Sequence, residues 1–410
     1  MSAHDDALVD EPTVRGSPLE VLRVFLMLGL TSFGGPIAHL GYFRDELVVR
    51  RKWIDEEGYA DLVALCQFLP GPASSQVGFS LGVLRGNGLL GGLAAWLGFT
   101  LPSAAILFAF AVGTATFTGA ASTGVVHGLK LVAVAVIAQA IWGMAKNLTP
   151  DRGRAAIALA AVAIVAFGGG ALCQTGAIAL GAVGGLWLCR GNPSFASATH
   201  LHFPVSRRGG AIALIAFAAL LVLPPLFMVT SSHQAIVLFD AFYRSGALVF
   251  GGGGHVVLPL LQAQVVDSGL VTNESFLTGY GLAQAVPGPL FTFAAYLGTI
   301  VGPEPNGFAG ASIALVAIFL PGILLVYGML PYWDALRLRP TAQAAMRGTN
   351  AAVVGILGAA LYNPVWTSAV LSSKDFALAL AGFLLLTVWK TPPWTVVFLL
   401  AASGAAAHMV

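Results

Sequence analysis

Two proline-glycine-proline triplets, Pro70-Gly71-Pro72 and Pro287-Gly288-Pro289, lie 217 residues apart inside otherwise apolar stretches. Proline lacks an amide hydrogen and glycine tolerates dihedrals closed to other residues, so each triplet is expected to stop one helix and start another. The restarted helix offers free backbone N–H groups: those of Ala73, Ser74, Ser75 and Gln76 in the first copy, and of Leu290, Phe291 and Thr292 in the second. A helix amino terminus carries roughly half a positive charge and orphan donors, which together make an anion site without a buried Lys or Arg. The hydroxyls of Ser74, Ser75 and Thr292 add donors. Gln67 and Gln284, three residues upstream of each triplet, either donate to an anion or tie down a freed carbonyl. The plainer reading is a kink with glycines that let helices approach; recurrence at one offset weighs against it.

A second pair of breaks precedes the triplets. Phe33-Gly34-Gly35 and Phe250-Gly251-Gly252 either nest an oxyanion with backbone amides or form the tight tip of a hairpin. His39 and His255 follow them, as proton-relay candidates or as hydrogen-bonded packing residues. Lys130 lies inside an apolar segment, where a charge either serves function or snorkels to an interface; its counterpart in the second half is Asn350. Gly78-Phe79-Ser80-Leu81-Gly82 matches the G-x-S-x-G pattern, but a nucleophilic serine needs a strand-to-helix elbow, and this segment reads as a membrane helix. Neither an H-E-x-x-H pair nor a phosphate-binding Walker loop occurs, so ATP bound to this chain cannot drive it. His200 and His202 read as loop residues, not as a metal site.

These residues must be positioned by membrane helices. The chain of 410 residues is 57% hydrophobic and 9% charged, against roughly 25% charged in soluble domains. Thirteen apolar segments can be counted, several of the roughly 20 residues a helix needs to cross a bilayer. They lack the alternation of barrel strands, which predicts an all-α polytopic membrane protein. The first eighteen residues are polar, with no signal-sequence pattern, so the first hydrophobic segment is expected to stay in the mature protein. Cys66, Cys173 and Cys189 read as small core residues. A net charge of +2 gives no sign of a nucleic-acid partner.

The helices come in two like sets. Residues 33–72 align without a gap on 250–289, with 11 identities in 40 positions. Leu101-Pro102 recurs as Leu320-Pro321, and Gly128-Leu129-Lys130 as Gly348-Thr349-Asn350. The expected division is a polar cytoplasmic tail at 1–18, a first repeat at 19–190, a connector with one span at 191–232, and a second repeat at 233–410. Paired interruptions in two halves of a membrane protein point to a transporter's binding site. The loop after the first Phe-Gly-Gly carries Arg44, Arg50, Arg51 and Lys52, whereas residues 261–275 carry no Lys or Arg, so equivalent loops are expected on opposite sides. If the broken segments are re-entrant hairpins, seventeen of the twenty Lys and Arg fall near cytoplasmic ends, leaving Lys130, Arg244 and Lys374. Full spans are the alternative. Both put the amino terminus inside and the carboxy terminus outside.

The Phe-Gly-Gly break, the charged stretch ending Lys52-Trp53-Ile54-Asp55, the run Gln67-Phe68-Leu69-Pro70-Gly71-Pro72 and their degenerate second copies resemble the chromate ion transporter family in its long-chain, two-domain form. Arg347-Gly348-Thr349-Asn350-Ala351-Ala352-Val353-Val354-Gly355 is similar to that family as well. The resemblance covers essentially the whole chain after about residue 18. It implies a bacterial inner-membrane protein with thirteen segments in antiparallel halves, exporting chromate and giving chromate resistance. The implied driving force is the membrane potential or proton gradient, with sulfate as competitor. Gly253 in place of Pro36 suggests that the halves have diverged in role. The partners expected are chromate, sulfate, the lipid bilayer and a second copy in a homodimer, with no cofactor, metal or nucleic acid. A permease for sulfate or another oxyanion is the rival reading, and an intramembrane hydrolase using Ser80 the alternative from a different class.

Overall fold

The structure, a computed structural model, describes residues 16–33, 35–114, 120–168, 170–190, 203–230, 233–250, 257–333 and 339–409, and every regular element among them is helical. Local chemistry sets the helix starts. Ser17 caps α1 (Pro18–Thr31) by accepting from the Glu20 amide, with proline at the first position. Asp55 caps α3 (Glu56–Phe68), and Thr272 caps α12 (Asn273–Ala283), the helix at the equivalent place in the second half.

The first half opens with two helical hairpins. α1 is followed, after Ser32 and Phe33, by α2 (Gly35–Phe43), which runs on into a π-helical stretch at Arg44–Arg50, and α3 turns at 69–72 into α4 (Ala73–Arg85). Their outer ends meet on one side. The Gly16 amide donates to the Arg85 carbonyl at 3.0 Å, Arg85 pairs with Glu20 at 3.1 Å, and its guanidinium lies 5.4 Å from the ring centre of Trp53, in the loop between the hairpins. Both broken segments therefore enter and leave at one end, with Ser32 and Gly71 at their inner tips. The second half repeats this with α10 (Gln234–Ala247), α11 (Val257–Val265), α12, a 3-10 turn at Leu290–Thr292 and α13 (Phe293–Ile300). There the Gly302 amide reaches the Leu270 carbonyl at 3.2 Å, the positions equivalent to Arg85 and Trp53.

The long helices that follow fix the relation between the halves. In α5 (Leu89–Thr114) and α14 (Gly307–Met329), the start of one meets the far half of the other: Phe108 and Phe308 have ring centres 6.0 Å apart, Trp96 and Phe319 5.8 Å. The two helices run antiparallel, so the hairpin pairs enter from opposite ends. This is an inverted repeat.

The remaining helices are exchanged between halves. α7 (Arg152–Gly168) and α8 (Gly170–Leu188) pack on α15 (Pro340–Ala360) of the second half, while α16 (Ser373–Thr387) and α17 (Pro393–Met409) pack on α6 (Ala120–Leu148) of the first. Small residues permit the approach. A Cβ on Gly128 would strike the Leu400 carbonyl, and one on its equivalent, Gly348, the Gly181 carbonyl. α9 (Arg207–Thr230) links the halves and exposes Ile212, Ile215, Leu226 and Phe227. Five helices (α5, α6, α9, α14 and α15 with its continuation to Ala369) are long and apolar enough to cross a membrane, and shorter apolar helices accompany them. The fold is that of a polytopic all-α membrane protein.

Candidate functional site

The two triplets and the two Phe-Gly-Gly breaks meet through the backbone. The Gly71 amide donates to the Val249 carbonyl at 2.7 Å, and the Gly288 amide to the Ser32 carbonyl at 2.8 Å. Val249 and Ser32 are equivalent residues, each immediately before its phenylalanine. Each triplet thus ties itself to the break of the other half. Gly71 and Gly288 hold φ of 127° and 98°, conformations that favour glycine. Both face the residue after the proline of a crossing helix: a Cβ on Gly71 would lie 3.0 Å from the Gly322 Cα, and one on Gly288 2.7 Å from the Ser103 Oγ.

The helix ends behind the triplets differ. Pro72 caps α4 without a side-chain hydrogen bond, and Gln76 is the first amide to bond back, to the Pro72 carbonyl at 2.9 Å. The amides of Ala73, Ser74 and Ser75 consequently lack intrahelical acceptors. After Pro289 the chain makes a 3-10 turn whose Thr292 amide already returns to the Pro289 carbonyl. The Thr292 hydroxyl is engaged on that same carbonyl at 2.7 Å.

Side chains complete the first-half site. Ser74 Oγ lies 3.4 Å from His39 Nδ1, and the His39 ring stands edge-on to Phe99 at 5.2 Å; both polar residues are buried. Ser75 is buried with its hydroxyl unpartnered. Gln76, expected to offer only its amide, also donates its side-chain Nε2 to the Pro70 and Gly322 carbonyls, both at 3.0 Å. It ties down a carbonyl at the break, one of the two roles open to Gln67. A glutamine one turn into an apolar restarted helix was the signal available for it. Gln67 itself is exposed, whereas Gln284 Nε2 is buried without a partner.

Other expected site residues are placed as follows. Phe33 and Phe250 are partly buried, Phe250 against the main core. Gly35 starts α2 at φ 78°. Gly34, Gly251, Gly252, His255, His200 and His202 lie outside the described residues. Lys130 is not brought to the breaks: its Nζ pairs with Glu274 Oε1 at 3.1 Å, in the first turn of α12 and about 15 Å along that helix from its break end. Arg244, also an exception to the charge pattern, pairs with Asp240 at 2.7 Å. Ser80 is fully buried inside α4, with no elbow around it.

Comparison with known proteins agrees with this architecture. A family profile described as chromate transporter matches residues 19–188 and again 236–406. A chromate transport protein of Pseudomonas aeruginosa is 31% identical over 397 residues, covering 93% of this chain and 90% of that one. A probable chromate transport protein of Synechococcus elongatus is 28% identical over 350 residues, 83% of each chain. A chromate transport protein of Cupriavidus metallidurans is 27% identical over 347 residues, covering 83% and 81%. No solved structure matches the chain. With its inverted halves each matched by the same profile, the chain belongs to the chromate transporter family.

Proposed function

We propose that this protein exports chromate from the bacterial cytoplasm across the inner membrane and thereby gives chromate resistance. The carrying observation is the reciprocal pair of hydrogen bonds from Gly71 to Val249 and from Gly288 to Ser32, which draws four helix breaks into one place. Unpaired amides there can replace the hydration shell of a tetrahedral dianion. The residues assigned to the site are those of the breaks: Phe33, Gly34, Gly35, Pro70, Gly71, Pro72, Ser74 and Ser75 of the first half, and Phe250, Gly251, Gly252, Gln284, Pro287, Gly288, Pro289 and Thr292 of the second. Chromate as cargo is supported by the names of the relatives. Sulfate, a similar dianion, competes for the same donors.

Direction follows from charge. The outer end of the first hairpins carries Arg44, Arg50, Arg51, Lys52 and Arg85, and belongs in the cytoplasm together with the tail at 1–18; the carboxy terminus then faces the periplasm. With the interior negative, expelling a dianion is favoured by about 4.6 kcal/mol at 100 mV. The potential alone can drive export. His39, beside Ser74, is the group through which a proton gradient would add to it, and Lys130 with Glu274 lies on the outer route.

The test is radiolabelled chromate uptake into inside-out vesicles under an interior-positive potential, with and without excess sulfate. Uptake that sulfate inhibits supports export through a shared dianion site. Absence of chromate flux in vesicles with correctly inserted protein contradicts it, and sulfate uptake in those same vesicles would favour the permease.

A further inference from the structure

Polar atoms around the breaks are distributed unevenly between the halves. Ser32, Ser75 and Thr100 are buried, and none of their hydroxyls has a hydrogen-bond partner. Native interiors leave few such groups unpaired, because each one destabilises the fold unless water or a ligand satisfies it. These three share a neighbourhood. Ser75 lies in the first turn of α4 beside the unpaired amides, next to Ser74, which meets His39. His39 packs on Phe99, whose carbonyl lies with Ser103 Oγ against Gly288, and Gly288 is bonded to the Ser32 carbonyl. Thr100 is next to Phe99, and its carbonyl accepts from Ser103 Oγ at 3.1 Å.

The equivalent positions of the second half are apolar or already satisfied. Val249 stands for Ser32, Phe291 for Ser74, Phe293 for Gln76 and, counted from the shared Leu-Pro, Phe319 for Thr100. Thr292 stands for Ser75, with its hydroxyl engaged. Phe291 packs on Phe319 at 5.6 Å and Phe319 on Trp96 at 5.8 Å. Among the described residues of α11 to α13, Gln284 Nε2 is the one buried side-chain polar atom without a partner.

We propose that the oxyanion seat is one-sided: the first-turn amides of α4 and the hydroxyls of Ser32, Ser75 and Thr100 hold the anion, while Phe291 and Phe319 wall it from the other half. This rests on the transport reading above. Several short uncharged donors in one neighbourhood suit a tetrahedral oxyanion with four acceptor oxygens better than a halide or a planar carboxylate. Gln284 is the second half's single side-chain donor to the seat. The inverted repeat thus supplies a symmetric frame in which one half binds and the other excludes water.

Thermal unfolding of the full-length protein in detergent, titrated with sodium chromate, tests the seat without relying on transport. Ser32→Ala, Ser75→Ala and Thr100→Val remove orphan groups, so their midpoints without anion stay at or above wild type. Each raises the chromate concentration for half-maximal stabilisation about tenfold. Thr278→Val, which removes a buried hydroxyl bonded to the Glu274 carbonyl, keeps the wild-type chromate response. If the three variants respond to chromate as wild type does, or if Thr292→Val alone abolishes the response, the one-sided seat is overturned. An equal loss in Thr278→Val would overturn it too. Wild-type protein that gains no stability from chromate would overturn the transport reading underneath.

Discussion

Gly71 and Gly288 each carry two constraints: a positive φ, and a crossing helix too close for a Cβ. Gly71→Ala and Gly288→Ala are therefore expected to destabilise the tips by about 1–3 kcal/mol. Because the tips hold the seat, chromate flux should fall at least about tenfold even where the protein still inserts. Gln76→Leu removes the donor from the buried Gly322 carbonyl and the part-buried Pro70 carbonyl and should lower the unfolding free energy by about 1–3 kcal/mol, read as a lower thermal midpoint. Gln67→Leu, at an exposed position, should stay within about 0.5 kcal/mol of wild type. The triplets were legible in the sequence because proline and glycine act on their own backbone. The work of Gln76 was not, since its second acceptor, Gly322, is 246 residues away and only the fold brings it near. The partner of Lys130 was hidden for the same reason: an apolar neighbourhood marks a costly charge, but Glu274 comes from another helix.

At the scale of elements, the hairpins follow from the breaks, and the repeat was readable from one constant offset. The exchange of α7 and α8 with α16 and α17 was not. Those helices are apolar on most faces, and a helix without a polar stripe does not say which neighbour it will choose. What selects the partner is the small-residue seam, visible only once Gly128 faces Leu400 and Gly348 faces Gly181. Gly128→Leu and Gly348→Leu should force both seams apart and destabilise by at least about 1–3 kcal/mol each. Gly143→Leu and Gly358→Leu, on the same two helices but facing open space, should be tolerated. Midpoints of detergent-solubilised protein separate the two pairs; equal losses in all four would mean that added bulk anywhere on these helices, not the seam, decides.

For the whole molecule, inversion gives equivalent surfaces opposite fates. Arg50 and Asp267, both exposed, occupy the same position in the repeat register, yet Arg50→Cys should react with an impermeant maleimide from the cytoplasm and Asp267→Cys from the periplasm. Labelling from the same side would remove the inverted topology. The charge pattern predicts this orientation because Arg and Lys cluster at one end, and Lys130 and Arg244, two exceptions to it, each sit in an ion pair. The asymmetry of the seat was only half readable: Phe291 and Phe293 stand openly in the second half, but the satisfied hydroxyl of Thr292 and the orphaned one of Ser75 differ only in three dimensions. The central claim is that the converging breaks form the path of a dianion. Its most direct test is potential-driven chromate uptake into inside-out vesicles bearing wild type, Gly71→Ala or Gly288→Ala at equal inserted amounts. Rapid uptake by wild type, lost in both variants and abolished when the potential is collapsed, is the expected result; uptake by both variants at the wild-type rate would contradict it.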